Sequence, residues 1–191
     1  MRARLYVSIS PGLTAEREVI GRAVAALPVD VGWQVDTTPG PRDLVGDPLA
    51  AARAHVYALV MGADIRAPMG VEWAAARRSG SAALALLKAG PRTPAAHEFV
   101  KTAAVDWQSY ATAGDVGPRL QRVLAQALLD HSREFELKVM EIETLTNLVK
   151  ALADRPDSDG PDARAGAGQG GVIFAPSREA GQGGVEISNR R

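Results

Sequence analysis

The chain has 191 residues, 46% of them hydrophobic, which is enough for one domain with a real core plus appendages. Lys+Arg 22 balances Asp+Glu 22, so there is no basic field of the kind that draws nucleic acid. The absence of cysteine excludes disulfides, thiolate catalysis and cysteine-based zinc sites, and no apolar run reaches the roughly 18 residues of a membrane span, so the expected class is a soluble, cytoplasmic protein.

Short apolar runs alternate with Ala-rich helical patterns through the first two-thirds of the chain, the signature of βαβ units. "RLYVSIS" reads as a strand that Pro11-Gly12 breaks. "LTAEREVIGRAVAAL" follows, with Leu13, Ile20, Val24 and Leu27 at helical spacing. "VDVGWQV" is a second strand and "TTPGPRD" a loop. "DPLAAARA" is a short helix with Asp47 as cap and Pro48 at its first position. "HVYALVMG" is continuously apolar, as a strand at the centre of a parallel sheet must be. After the helix that follows it, "AALALLKAG" is a fourth strand, "TPAAHEFVKTA" a helix capped by Thr93, and "AVDWQSY" a fifth strand at an edge. These elements predict an α/β, flavodoxin-like parallel sheet in the order 2-1-3-4-5, filling residues 1–113.

From Pro118 to Arg155 no Gly or further Pro interrupts the chain, and Leu128, Phe135, Ile142 and Val149 recur every seven residues. The pattern predicts one long C-terminal helix within 114–155. Its apolar stripe, longer than the sheet, is expected either to pair with a second copy or to kink and wrap on its own domain. Beyond it, 156–191 is a Gly-rich linker and tail in which "AGQGGVIF" returns as "AGQGGVEI" thirteen residues on. Each Gly-Gly followed by β-branched residues suggests a short strand able to add to a partner protein's sheet; a disordered tail is the alternative.

The stretch "MGADIRAPMGVEWAAARRSG" holds the main chemical question. Glu72 stands at the start of an Ala-rich helix after the third strand, beside the exit loop "SISPG" of the first. Ligands bind at such strand ends, so Glu72 is either a site residue or a first-turn charge that complements the helix dipole. In the first case Ser8, Ser10 and the Gly12 backbone meet a sugar or phosphate there, Asp64 takes a ribose hydroxyl and Trp73 stacks on a base. In the second case Trp73 is packing. His55, His97 and His131 lie in separate elements without ligand spacing, so no metal and no catalytic triad is expected, and no cofactor. The run Glu16-Arg17-Glu18 reads first as the solvated face of the first helix, and Arg77-Arg78 as complements to a helix C-terminus.

"LYVSISPGLTAEREVI" resembles the opening of a bacterial domain family of unknown function, whose members begin with a hydrophobic strand, then V-S-S-T-F, a Leu and a Glu-Arg pair. Val7, Ser8, Leu13, Glu16 and Arg17 carry the match; Ile9 replaces the second Ser and the aromatic is missing. "VYALVMGADIRAPMGVEWAAARRSGSAALALL" resembles the second block of that family, and together the likeness covers about residues 3 to 110. The family is similar in fold to Toll/interleukin-receptor-like (TIR-like) domains and to nucleoside 2-deoxyribosyltransferases, where a helix-borne Glu acts on an N-glycosidic bond. The resemblance implies that Glu72 is a nucleophile or transition-state stabiliser acting on a nucleoside-containing small molecule such as NAD, in signalling or defence. The competing class is a non-catalytic module that uses the same fold for assembly. An open pocket at Glu72 favours the enzyme, and a cleft filled by Met69 and Trp73 favours the module.

Overall fold

The computed structural model describes residues 2–39 and 46–154. The Gly-rich tail and its repeat, assigned above to 156–191, lie outside the described residues. The elements are β1 (Ala3–Ile9), α1 (Thr14–Ala25), β2 (Trp33–Thr37), α2 (Pro48–Ala52), β3 (Val56–Met61), α3 (Ala67–Ser79), β4 (Ala82–Lys88), α4 (Pro94–Thr102), β5 (Trp107–Tyr110), α5 (Ala113–Asp130) and α6 (Val139–Ala153). All strand pairings are parallel, in the order β2-β1-β3-β4-β5.

The sheet's two faces follow from strand alternation. Leu5, Val7 and Ile9 of β1 join Val56, Ala58 and Val60 of β3 in one core, covered by α1, α5 and α6. Tyr6, Tyr57, Leu59 and Met61 form the other, covered by α2, α3 and α4. Every residue of β3 is buried, as its unbroken apolar run requires. The caps act as expected: Asp47 accepts from the Ala50 N–H at 2.9 Å and Thr93 from the Ala96 N–H at 3.3 Å. No helix among the described residues is long and apolar enough to cross a membrane.

The long C-terminal helix is two helices instead. His131 ends α5, and the chain turns through 131–138 before α6 begins at Val139. Glu134 holds the turn to the foot of β3: its Oε1 accepts from His55 Nε2 at 3.1 Å and its Oε2 lies 3.2 Å from His131 Nδ1. The other His55 nitrogen, Nδ1, accepts the Arg4 N–H at 2.9 Å. The fold-back seats Leu128, Phe135 and Leu145 in the domain's own core, with Leu148 and Val149 packed partly against it. Much of the apolar stripe expected to seek another surface is thus covered from within, while Val139 and Met140 are each 71% exposed.

Candidate functional site

Glu72 is not a first-turn charge. Helix α3 begins at Ala67 with Pro68 at its start, so Glu72 lies in the second turn and faces the sheet, where it is 0% exposed. Its surroundings come from three strands. Ser8 of β1 donates to Glu72 Oε2 at 2.7 Å, and Thr38, one residue past β2, donates to the same oxygen at 2.7 Å. Thr38 is held in turn, since its N–H bonds the Val7 carbonyl at 3.0 Å and its hydroxyl accepts from the Ile9 N–H at 3.3 Å. Both hydroxyl protons converge on Oε2 and fix the carboxylate's orientation.

The other oxygen, Oε1, is buried and has no partner at good hydrogen-bond geometry among the described residues, nor have the phenol oxygens of Tyr6 and Tyr57, although Tyr6 lies close enough to Glu72, and Tyr57 to Ser8, for each pair to interact. These two tyrosines are register partners on β1 and β3, stacked with centroids 5.8 Å apart and planes 3° from parallel. Burial first, and then the Glu72 carboxylate, push the Tyr6 phenol far above its ordinary value; burial does the same to Tyr57. Both therefore remain protonated donors across the physiological range. Gly46 packs directly against this side of Glu72, because a Cβ there would stand 2.8 Å from Pro68 Cβ and 2.9 Å from Glu72 Oε1.

The remaining predicted site residues disperse around this buried cluster. Ser10 is fully buried and accepts the Gly62 N–H at 2.9 Å, tying the ends of β1 and β3 together. Gly12, with φ +78, lines a separate crevice of about 370 Å³ at the carboxyl ends of the strands, along with Gly62, Lys88 and Gly90; Glu72 is not part of its wall. Asp64 is exposed and accepts from Thr93 Oγ1 at 2.7 Å and from the Ile65 N–H at 2.9 Å, which pins the β3–α3 loop to α4. These two bonds, the Thr93 hydroxyl foremost, hold its carboxyl below the usual value. Trp73 is 6% exposed, donates to the Ala103 carbonyl at 3.0 Å and lies against Tyr57, a packing role.

Several members of the cluster escaped sequence reasoning. Tyr6 and Ser8 share one strand face by simple alternation, so the signal was present, but Thr38 and Tyr57 arrive only through strand pairing. Glu16, read as a solvated charge, is 1% exposed; its Oε1 accepts from Lys88 Nζ at 2.7 Å, with Tyr110 Oη 3.5 Å away. Among the described residues no group of three or more side chains is placed to hold a metal ion.

The class that fold and site define is a doubly wound α/β domain with a buried carboxylate on the helix after its third strand. No protein-family model matches the chain, and no curated protein sequence matches it.

Proposed function

We propose that the domain, TIR-like and deoxyribosyltransferase-like in character, acts on the N-glycosidic bond of a nucleoside-containing ligand such as NAD, with Glu72 as its reacting carboxylate, in a cytoplasmic signalling or defence role. One observation carries the reading: a fully buried carboxylate has Oε2 held by two hydroxyls, while Oε1 has no hydrogen-bond partner among the described residues. Cleaving a ribosyl–base bond builds positive charge at the anomeric carbon, and a preorganised carboxylate oxygen either stabilises that charge or attacks the carbon. Ser8 and Thr38 hold the carboxylate still while Oε1 faces the substrate. The Tyr6 and Tyr57 phenols are donors for a sugar hydroxyl or the departing base.

The test is incubation of the pure protein with NAD and with a panel of deoxynucleosides, followed by chromatography, for the wild type and Glu72→Gln. The expected result is release of base by the wild type and a rate lower by about a hundredfold or more in the variant. Untouched substrates with both proteins remove the catalytic reading.

A second reading is a non-catalytic TIR-like module acting through protein contacts. It is favoured by the complete burial of Glu72 and by Met69 and Trp73, both buried beside it on α3. Self-association through the C-terminal helical segment belongs to either reading, and Val139 and Met140 are its exposed apolar contacts. Sedimentation of the whole chain and of a Val139→Glu/Met140→Glu variant tests it. A monomer in both cases removes it.

A further inference from the structure

A second feature lies on the opposite face of the sheet from Glu72. Between α1 and the edge strand β2 runs a groove of about 450 Å³ whose lining, apart from Arg17, Thr37 and the Trp33 indole N–H, a buried donor with no partner among the described residues, is apolar side chains or glycine. Its two walls have a direction. On α1, Arg17, Gly21 and Val24 fall at i, i+4 and i+7, one stripe of the helix. On β2, Trp33, Val35 and Thr37 alternate onto one face. Arg17 and Thr37 therefore mark one end of the groove, while Val24 and Trp33 mark the other.

The polar end carries an unanswered charge. Among the described residues the Arg17 guanidinium has neither a hydrogen bond nor an ion-pair partner. It is partly desolvated, and the like charge of Arg66 also acts on it, both of which push its pKa down. Arg66 is itself anchored close by, donating from Nη1 to the Pro39 carbonyl at 2.7 Å. Two cations sharing a region, with no carboxylate partner among the described residues, form a receptor for an anion. Midway along the helical wall, Gly21 stands inside α1, where glycine weakens a helix, although a Cβ there would meet nothing within 4 Å. Its missing side chain leaves the groove open. Val35, on the rim, is 42% exposed.

We propose that this groove binds a single-chain carboxylate amphiphile, a medium-chain acyl carboxylate, with its head at Arg17 and Thr37 and its chain running toward Trp33. Trp33 to Thr37 spans about 13 Å at the rise of a strand, which an extended chain of about ten carbons covers at ordinary C–C bond lengths. Aliphatic walls bury the chain and the guanidinium pairs with the head, the usual division of labour in a small-molecule site. The site is independent of Glu72 and of any glycosidic chemistry.

The probe is decanoate below its micelle concentration, followed by tryptophan emission, with Trp33→Phe as control, and by calorimetry. The expected result is saturable one-to-one binding, with octanoate, two methylenes shorter, weaker by roughly fifteenfold, since each buried methylene contributes about fourfold. Decanol, lacking the charge, is also expected to bind more weakly than decanoate. Arg17→Gln is expected to abolish the preference for decanoate over decanol. Gly21→Leu, which adds helix propensity and fills the groove, is expected to abolish binding while circular dichroism shows an intact fold. Failure of the wild type to bind decanoate overturns the proposal, as does undiminished binding by folded Gly21→Leu. Association with anionic vesicles but not with monomeric decanoate also overturns it, and makes the groove a membrane-docking surface. A dimer in sedimentation that Gly21→Leu dissociates, with no decanoate bound, gives the groove to a second copy of the chain.

Discussion

Glu16 and Glu72 are both buried carboxylates on helices that follow a strand, at 1% and 0% exposure, yet their partners differ in kind. Glu16 meets a cation, Lys88, at 2.7 Å, and the Tyr110 phenol lies nearby. Among the described residues Glu72 accepts from hydroxyls alone, and its Oε1 has no hydrogen-bond partner. A buried charge paired with an opposite charge is a structural arrangement, because the pair offsets the desolvation of each member. A buried carboxyl with no ion-pair partner among the described residues is a cost the fold carries, and such costs concentrate where chemistry is done. The same residue type at the same depth thus serves stability in one place and reactivity in the other.

The largest expected effect breaks the first of these sites. Lys88→Met leaves the Glu16 carboxylate buried without its cation and is expected to destabilise the domain by about 3 to 5 kcal/mol in urea titration. Glu16→Gln is expected to cost less, about 1 to 2 kcal/mol, because the Lys88 side chain is 38% exposed and its ammonium turns toward water. Equal costs for the two variants would show that Lys88 has no route to solvent.

Gly46→Ala sharpens the second site. Its Cβ would press on Pro68 and on Glu72 Oε1, so a loss of about 1 to 3 kcal/mol is expected, measured by thermal unfolding. Glu72→Gln is expected to go the other way, with stability unchanged or raised by about 1 kcal/mol, because the amide keeps the shape of a buried carboxyl that has no ion-pair partner among the described residues. A destabilisation matching that of Lys88→Met would make Glu72 as structural as Glu16. The reading of Glu72 as a first-turn charge predicts only a small loss, about 0.3 to 1 kcal/mol, and the second-turn position removes its basis.

The smallest effect concerns exposed carboxylates. Asp64 and Glu141 are held below their ordinary values of 3.8 and 4.5, Asp64 first by the Thr93 hydroxyl and Glu141 first by the Lys138 N–H. A carboxyl depressed in the folded state adds stability that is present above its ordinary value and is lost as pH falls through the folded one. Unfolding temperature is therefore expected to fall as the pH drops below 4.5 and then below 3.8. Thr93→Val should shrink the Asp64 share of that slope, and an unchanged slope would refute the assignment.

Much of the architecture was legible because it follows from local rules. The unbroken apolar run of β3 marked it as central, Asp47-Pro48 and Thr93 marked helix starts, and the alternation of strands and helices led to the observed strand order. Pro68 was an equally clear start signal, since proline is favoured at the first turn of a helix. Placing the helix start at Glu72 instead of at Pro68 made Glu72 look like a terminal charge.

The rest depended on residues far apart in the chain. Nothing in "HSREFELK" stops a helix, for it contains neither Gly nor Pro, yet Glu134 is bound by His55 and His131, Phe135 enters the core, and Glu136 takes φ +53 to let the chain return. The partners of Glu72 lie 64 and 34 residues away, and those of Glu16 lie 72 and 94 away. By itself, then, the sequence determined which segments form strands and helices and in what order they assemble, because propensity, periodicity and capping act over a few neighbouring residues. Only the tertiary structure decided which charges are buried, which are paired and where the last helix turns back, because burial and pairing are set by contacts that exist only once the sheet has closed.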